Sequence, residues 1–294
     1  MRIFNKAPRR MRNLARLAGI ATILASLGLA NAAQAHSDKQ FSGPGAMSAS
    51  ANGQALWQFP DKRALNPAIF GTPAAPLNVD LLPLSMRDTN ANGTAYTTIK
   101  SPAAFSNNIK MITGEFALEV KDVTAKDSPN SADKVALDAS FVGPNGKTYR
   151  VVMNKVIPVG PEHPFYGGVG TDILMHGATG IGTPLVAQEF SYITVWGLGD
   201  LYIDGKLADT MRIIHVMVSE RTRNANFKIG FGVAEPDKLE IHLMLPPQKG
   251  AMTGPVDSPV PTGLMLPNGK EQPFIHVNFY GNAKLEGDRF YDGK

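Results

Sequence analysis

Two histidine–methionine pairs are the most chemically suggestive feature of this 294-residue sequence. His215 is followed two positions later by Met217, and His242 is followed in the same way by Met244. Imidazole and thioether groups are ligands that copper accepts, the thioether favouring Cu(I) and the imidazole either oxidation state. The first functional hypothesis is therefore a protein that binds copper or another transition metal.

Each pair lies in a segment that alternates in the manner of a β-strand. Within residues 211–218 and 239–245, aliphatic side chains fall on one face, and the histidine and methionine fall on the other. Residues 274–280 repeat this arrangement, with His276 on the less aliphatic face. If the three strands are neighbours in one sheet, these side chains converge. The ligands predicted on the strands are His215, His242, His276, Met217 and Met244.

Two further histidines complete the predicted ligand set. If the chain is cleaved after Ala35, His36 becomes the amino-terminal residue, and its α-amine and imidazole could chelate one ion through two nitrogens. This resembles the arrangement in histidine-brace copper proteins, and the resemblance covers that single residue. His176 lies in the glycine-rich segment 158–184, whose length is typical of a functional loop or lid.

Three other interpretations compete with a metal site. The ordinary structural one treats the histidines as half-exposed residues bonded to a neighbour, and the methionines as core filler. A metal-free module is the second, in which aromatic residues of segment 189–203 and the glycine-rich loop shape a surface for a small ligand or an exported protein partner. A hydrolase or isomerase is the third, because carboxylates neighbour histidines at Glu162, Asp172 and Glu240. The polar run 219–223 predicts a solvated turn.

The first 35 residues are typical of an export signal. Six basic residues precede an apolar run from Leu17 to Ala30, and Ala33-Gln34-Ala35 offers a cleavage site, which predicts a periplasmic or secreted protein. This segment holds six of the 29 lysines and arginines and none of the 25 acidic residues, leaving 23 against 25 and a net charge of −2. We therefore expect no nucleic-acid partner. No later segment reaches the length of a transmembrane helix, so none is expected in the mature chain.

Strands and turn signals alternate along the rest of the chain, with few windows of helical period. This pattern predicts an all-β fold, a sandwich or barrel of mainly antiparallel strands with long Gly/Pro-rich loops. The predicted organisation is a signal peptide at 1–35, an extended N-terminal arm at 36–82 and a single large β domain at 83–294, with a sub-division near residue 158 left open. Cysteine is absent from the sequence, which excludes disulfides and thiolate ligands.

Overall fold

The structure, a computed structural model, describes residues 45–123, 131–157, 168–231, 235–251 and 254–287. Within these ranges the chain is almost entirely β-strand, with one short α-helix (α1, Pro67–Phe70) and one 3-10 turn (Leu84–Met86). The strands are β1 (Gly45–Gln58), β2 (Gly71–Thr72), β3 (Ala75–Pro76), β4 (Arg87–Thr89), β5 (Tyr96–Ile99), β6 (Ile109–Asp122), β7 (Lys134–Val142), β8 (Thr148–Val156), β9 (Val169–Met175), β10 (Glu189–Ile203), β11 (Lys206–Arg221), β12 (Glu235–Leu245), β13 (Gln248–Ala251), β14 (Gly254–Asp257), β15 (Ile275–Phe279) and β16 (Lys284–Gly287). The predicted all-β class is confirmed.

Twelve of these strands form one antiparallel sheet, and eight of the twelve close into a ring. The order around the ring is β10, β11, β12, β15, β1, β6, β7 and β8, and β8 pairs again with β10. A sheet whose last strand pairs with its first is a barrel, so the strand pairings favour the barrel over the sandwich. Outside the ring, β9 pairs with β10, β13 and β14 extend from β11, and β16 pairs with the start of β1.

Strand β10 closes the ring because it changes partner half-way along its length. Residues up to Val195 pair with β9, whereas residues from Gly197 onward pair with β8. At Gly197 and Gly199 an added Cβ atom would collide with the backbone of β8, so only glycine lets the two strands approach. The hairpin from β10 to β11 then turns at Asp204 and Gly205, both with positive φ, as this dipeptide predicts.

Part of the segment predicted as an N-terminal arm, 36–82, forms a strand of the barrel. Residues 45–58 form β1, which pairs with β6 along its whole length and with β15 near its end. The sequence signal was weak because the inward face of β1 begins with Met47, Ala49 and Ala51. Alanines on alternate positions bury well in a sheet but give little of the hydrophobic periodicity that identifies a strand.

Two other predicted boundaries are the end of the signal peptide and the sub-division near residue 158. Residues 1–35 lie outside the described residues, so the signal peptide and its cleavage site stay predictions. Strands β8 and β10, which flank the predicted sub-division near residue 158, pair directly in the same sheet. Within the described ranges no helix is long and apolar enough to cross a membrane.

The two faces of the sheet differ where β10, β11, β12 and β15 run side by side. Aliphatic residues point inward and fill the barrel, as in Ile193, Val195, Ile214, Val216, Val218, Ile241, Leu243, Leu245, Ile275 and Val277. The outward face carries the predicted histidines instead. Segments 59–108 and 176–188 lie over this outward face and carry a second hydrophobic cluster, formed by Leu65, Phe70, Leu82, Ile99 and Leu185. The histidines are thus enclosed between the sheet and this covering layer.

Candidate metal site

Three strands place three imidazoles in one row on the outward face. His215 lies on β11, His242 on β12 and His276 on β15, and β12 pairs with both neighbours. The ring centroids of His215 and His242 are 5.6 Å apart, and those of His242 and His276 are 4.3 Å apart. The rings converge as strand alternation predicts. They are buried rather than half-exposed, each with at most 6% of its surface accessible.

A fourth imidazole, that of His176, joins the row from the loop after β9. Its Nε2 atom lies 3.3 Å from Sδ of Met217 and 3.7 Å from Oε1 of Glu189. The backbone of His176 is left-handed, with φ of 63°. A non-glycine residue held in this region costs about 1–3 kcal/mol, so the surrounding loop must hold His176 in place. We call His176, His215, His242 and His276 the histidine cluster.

The glycine-rich loop that follows β9 positions His176. Gly182 has a φ of 73°, and a Cβ atom added there would lie 2.7 Å from the imidazole ring of His176. The next residue, Thr183, presents its backbone N–H at 3.0 Å and its carbonyl oxygen at 3.2 Å to Nδ1 of His176. Because one residue offers both a donor and an acceptor, either neutral tautomer of His176 is satisfied at Nδ1.

Backbone carbonyls fix the tautomers of two other histidines. Nδ1 of His215 lies 3.1 Å from the carbonyl oxygen of Val195, and Nδ1 of His276 lies 2.9 Å from that of Ala104. A carbonyl oxygen can only accept, so each Nδ1 carries the proton and each Nε2 is the unprotonated nitrogen. Among the described residues, Nε2 of His242 and Nε2 of His276 are buried and have no hydrogen-bond partner.

Burial lowers the pKa of two of these imidazoles, His242 and His276. The pKa of His276 is lowered to about 3, chiefly by burial, with the nearby Arg223 charge acting in the same direction. The pKa of His242 is lowered well below its usual value, first by burial and then by the neighbouring His276, His215 and His176. Neutral imidazole is the form that coordinates a metal ion. At neutral pH His242 and His276 therefore carry no positive charge, and their imidazoles are in the form that binds a metal.

Two buried carboxyl groups lie beside the cluster. Glu240 accepts hydrogen bonds from Thr222, Asn278 and Tyr280, and Glu189 accepts one from the Ser219 hydroxyl. Burial is the largest cause that raises the pKa of both carboxyl groups. The cluster thus has a polar side, with groups that hold or exchange protons, in addition to its row of imidazoles.

The predicted solvated turn at 219–223 is wrong. Ser219, Thr222 and Arg223 are all buried. The Arg223 guanidinium donates to the Gln58 side chain and to the carbonyl oxygens of Ser106 and Phe227. Because these acceptors are within the protein, Arg223 ties the covering layer to the barrel.

Phe105, in the covering layer, closes the site. Its ring centroid lies 5.0 Å from that of His276, 5.8 Å from that of His242 and 6.5 Å from that of His176. Beneath it lies a cavity of about 10 Å³ that is lined partly by His242 and His276. A space of this size holds about one water molecule. In this conformation the site has room for an ion or a water and none for an organic molecule.

The structure brings together most, but not all, of the predicted ligands. Met217 contacts the cluster directly, whereas Met244 is half-buried and is placed only by register, its Cα opposite those of His215 and His276. His36 lies outside the described residues. Sequence reasoning missed Glu189 and Phe105, since nothing in the local pattern of either residue signals its proximity to the histidines.

The histidine cluster does not present three side chains already arranged around one position for a divalent ion. Among the described residues, no group of three or more His, Cys, Asp or Glu side chains is arranged to hold a metal ion. The ligand atoms that already face each other are the imidazole nitrogen of His176 and the thioether sulfur of Met217. An ion that uses more ligands requires side chains to reorient.

Comparison with known proteins gives no match to a protein-family model, to a curated protein or to a solved structure. The residues of this chain are therefore the basis for any conclusion about its function.

Proposed function

We propose that this protein binds a transition-metal ion at the histidine cluster. The observation that supports this most is the pair of buried Nε2 atoms, on His242 and His276, that have no partner among the described residues. A buried polar atom without a hydrogen bond costs about 1–3 kcal/mol. A metal ion that accepts the Nε2 lone pair of His276, and that of His242 in its Nδ1–H tautomer, removes that cost.

The surroundings of the cluster also suit a metal. Histidines that bind metals usually donate their other ring N–H to a carbonyl or carboxylate, which fixes the ring and strengthens the ligand. His215 and His276 both donate Nδ1–H to backbone carbonyls. Imidazole ligands suit copper, zinc, iron and nickel alike, so the histidines indicate a transition-metal ion without identifying which one.

The alternative functions gain less support. The aromatic residues that were predicted to line a pocket serve other roles: Tyr192 is buried in the barrel interior and Trp196 stacks on His215 at 4.2 Å. Open grooves of about 550, 690 and 630 Å³ exist on the sheet surface, away from the cluster. A metal-free binding module and a hydrolase or isomerase stay alternatives, as does the predicted export to the periplasm or medium.

The test is an equilibrium titration of metal-free protein with Cu(I), Cu(II), Zn(II) and Co(II). We expect one ion per chain, with a Kd on the order of micromolar or tighter for at least one of them. His242→Leu, which places an apolar side chain against Phe105, should weaken binding at least roughly tenfold. Met265→Leu, at an exposed methionine, is the matched control and should bind as the wild type does.

The absence of any ion bound more tightly than about millimolar would contradict the proposal. Unchanged affinity in a folded His242→Leu variant would also contradict it, because the ion would then be held elsewhere.

A further inference from the structure

The histidine cluster has one end that is apolar and rich in sulfur. Met217 is fully buried there, and its Sδ faces Nε2 of His176. Ile173 and Met175 pack against Met217 in a small hydrophobic cluster, which Ile181 and Trp196 complete. An ion at this end would meet a thioether and an imidazole, with the buried Glu189 carboxyl 3.7 Å from Nε2 of His176 and apolar side chains elsewhere, and the thioether favours soft ions.

The separation of the two ligand atoms already suits one ion. Metal–nitrogen and metal–sulfur bonds are about 2.1 and 2.3 Å long, so an ion bonded to both atoms at their 3.3 Å separation would subtend an angle of roughly 100°. An angle of this size belongs to an ion with three or four ligands, so at least one further ligand must complete the site. Coordination through Nε2 of His176 places the proton on Nδ1, and the Thr183 carbonyl oxygen lies 3.2 Å from Nδ1 to accept it.

The charge of the ion decides which oxidation state fits. The cost of moving an ion from water into apolar surroundings rises with the square of its charge, so a divalent ion pays far more than a monovalent one. Zinc in proteins takes four tetrahedral ligands. The described residues arrange no three His, Cys, Asp or Glu side chains for a metal. Monovalent copper accepts fewer ligands and prefers thioether sulfur.

We infer that the ion is Cu(I), bound between Nε2 of His176 and Sδ of Met217, and that Met217 is the residue that selects Cu(I) over divalent ions. His242 lies directly opposite Met217 in the strand register, so its imidazole is the further ligand that we propose from the adjacent strand. This inference rests on the proposed function, since it names the ion and the selecting ligand of the same site.

The test compares Cu(I) with Zn(II) in three proteins: the wild type, Met217→Leu and Met265→Leu. Cu(I) is supplied under reducing, oxygen-free conditions as its complex with bicinchoninate, and the protein competes for it; Zn(II) is titrated in parallel. Leucine has nearly the volume of methionine, so the barrel surface stays packed. We expect Met217→Leu to weaken Cu(I) binding at least roughly tenfold. Zn(II) binding, weaker in the wild type, should change little, and Met265→Leu should change neither.

X-ray absorption of the Cu(I)-loaded wild type keeps the inference testable if Met217→Leu does not fold. A copper–sulfur scattering shell at about 2.3 Å is expected. A spectrum that shows only nitrogen or oxygen neighbours around copper would overturn the inference, and so would a Zn(II) affinity equal to the Cu(I) affinity. Both results would leave the proposal of metal binding intact. The proposed function fails separately, if neither ion binds.

Discussion

Acidification from pH 7 to pH 5 should destabilise the metal-free protein through its buried histidines. The pKa of His276 is lowered from 6.5 to about 3 in the folded protein. Between pH 6.5 and pH 3, His276 is therefore protonated in the unfolded chain but not in the folded chain. The folded protein is for this reason most stable above pH 6.5, and its stability falls as the pH is lowered towards 3. At pH 5 this loss is about 2 kcal/mol for His276 alone. His242, whose pKa is also lowered, adds to it in the same direction.

The buried carboxyl groups act with the opposite sign. The pKa of Glu189 and that of Glu240 are raised, so their contribution to stability is lost as the pH rises above the ordinary carboxyl value and is regained on acidification. The total pH dependence is therefore a difference of two effects. A variant that removes only one titrating histidine isolates the effect of that histidine.

His276→Asn is that variant, because the asparagine amide can still donate to the carbonyl oxygen of Ala104. The assay is urea unfolding at pH 7 and pH 5, with metal removed by a chelator. Between these two pH values the wild type should lose about 2 kcal/mol more stability than the variant. An exposed substitution, Met265→Leu, should follow the wild type. Equal losses in the wild type and in His276→Asn would refute the reasoning, because they would mean that His276 takes up its proton equally well in both states.

Two further predictions concern the glycine-rich loop beside His176 and the fluorescence of Trp196. Gly182→Ala should lower Tm and weaken metal binding, because the added Cβ atom would collide with the His176 ring. Gly180→Ala is the control, since Gly180 also has a left-handed φ but has open space around it. Thermal unfolding of Gly180→Ala should show only the smaller cost of backbone strain. Copper should quench the fluorescence of Trp196, which stacks on His215, more strongly than that of Trp57, which lies on the opposite face of the sheet. Fractional quenching that is as strong in Trp196→Phe as in the wild type would contradict binding at the cluster.

The sequence was informative where the relevant pattern is local. Alternation of aliphatic with polar residues in β11, β12 and β15 placed His215, His242 and His276 on one kind of face, and the barrel shows them there. The hairpin at Asp204 and Gly205 has an equally local signal, because the Asp-Gly dipeptide favours the positive φ that both residues adopt.

Features that depend on distant contacts could not be predicted in this way. The closeness of His176 to Met217 depends on a left-handed loop whose glycines leave room for the imidazole, a fit that appears only in three dimensions. Arg223 looked like a surface residue because its acceptors, among them Gln58 and Ser106, lie more than 100 residues away in sequence. Strand β1 was missed because alanines form its inward face.

Diffraction from crystals loaded with copper, measured at the copper absorption edge, tests the central claim most directly. An anomalous peak within bonding distance of His176 Nε2 and Met217 Sδ, or of the buried Nε2 atoms of His242 and His276, is the result that we predict. Crystals loaded with enough copper to occupy one site per chain, yet without an anomalous peak among these four imidazoles, would contradict metal binding at the histidine cluster.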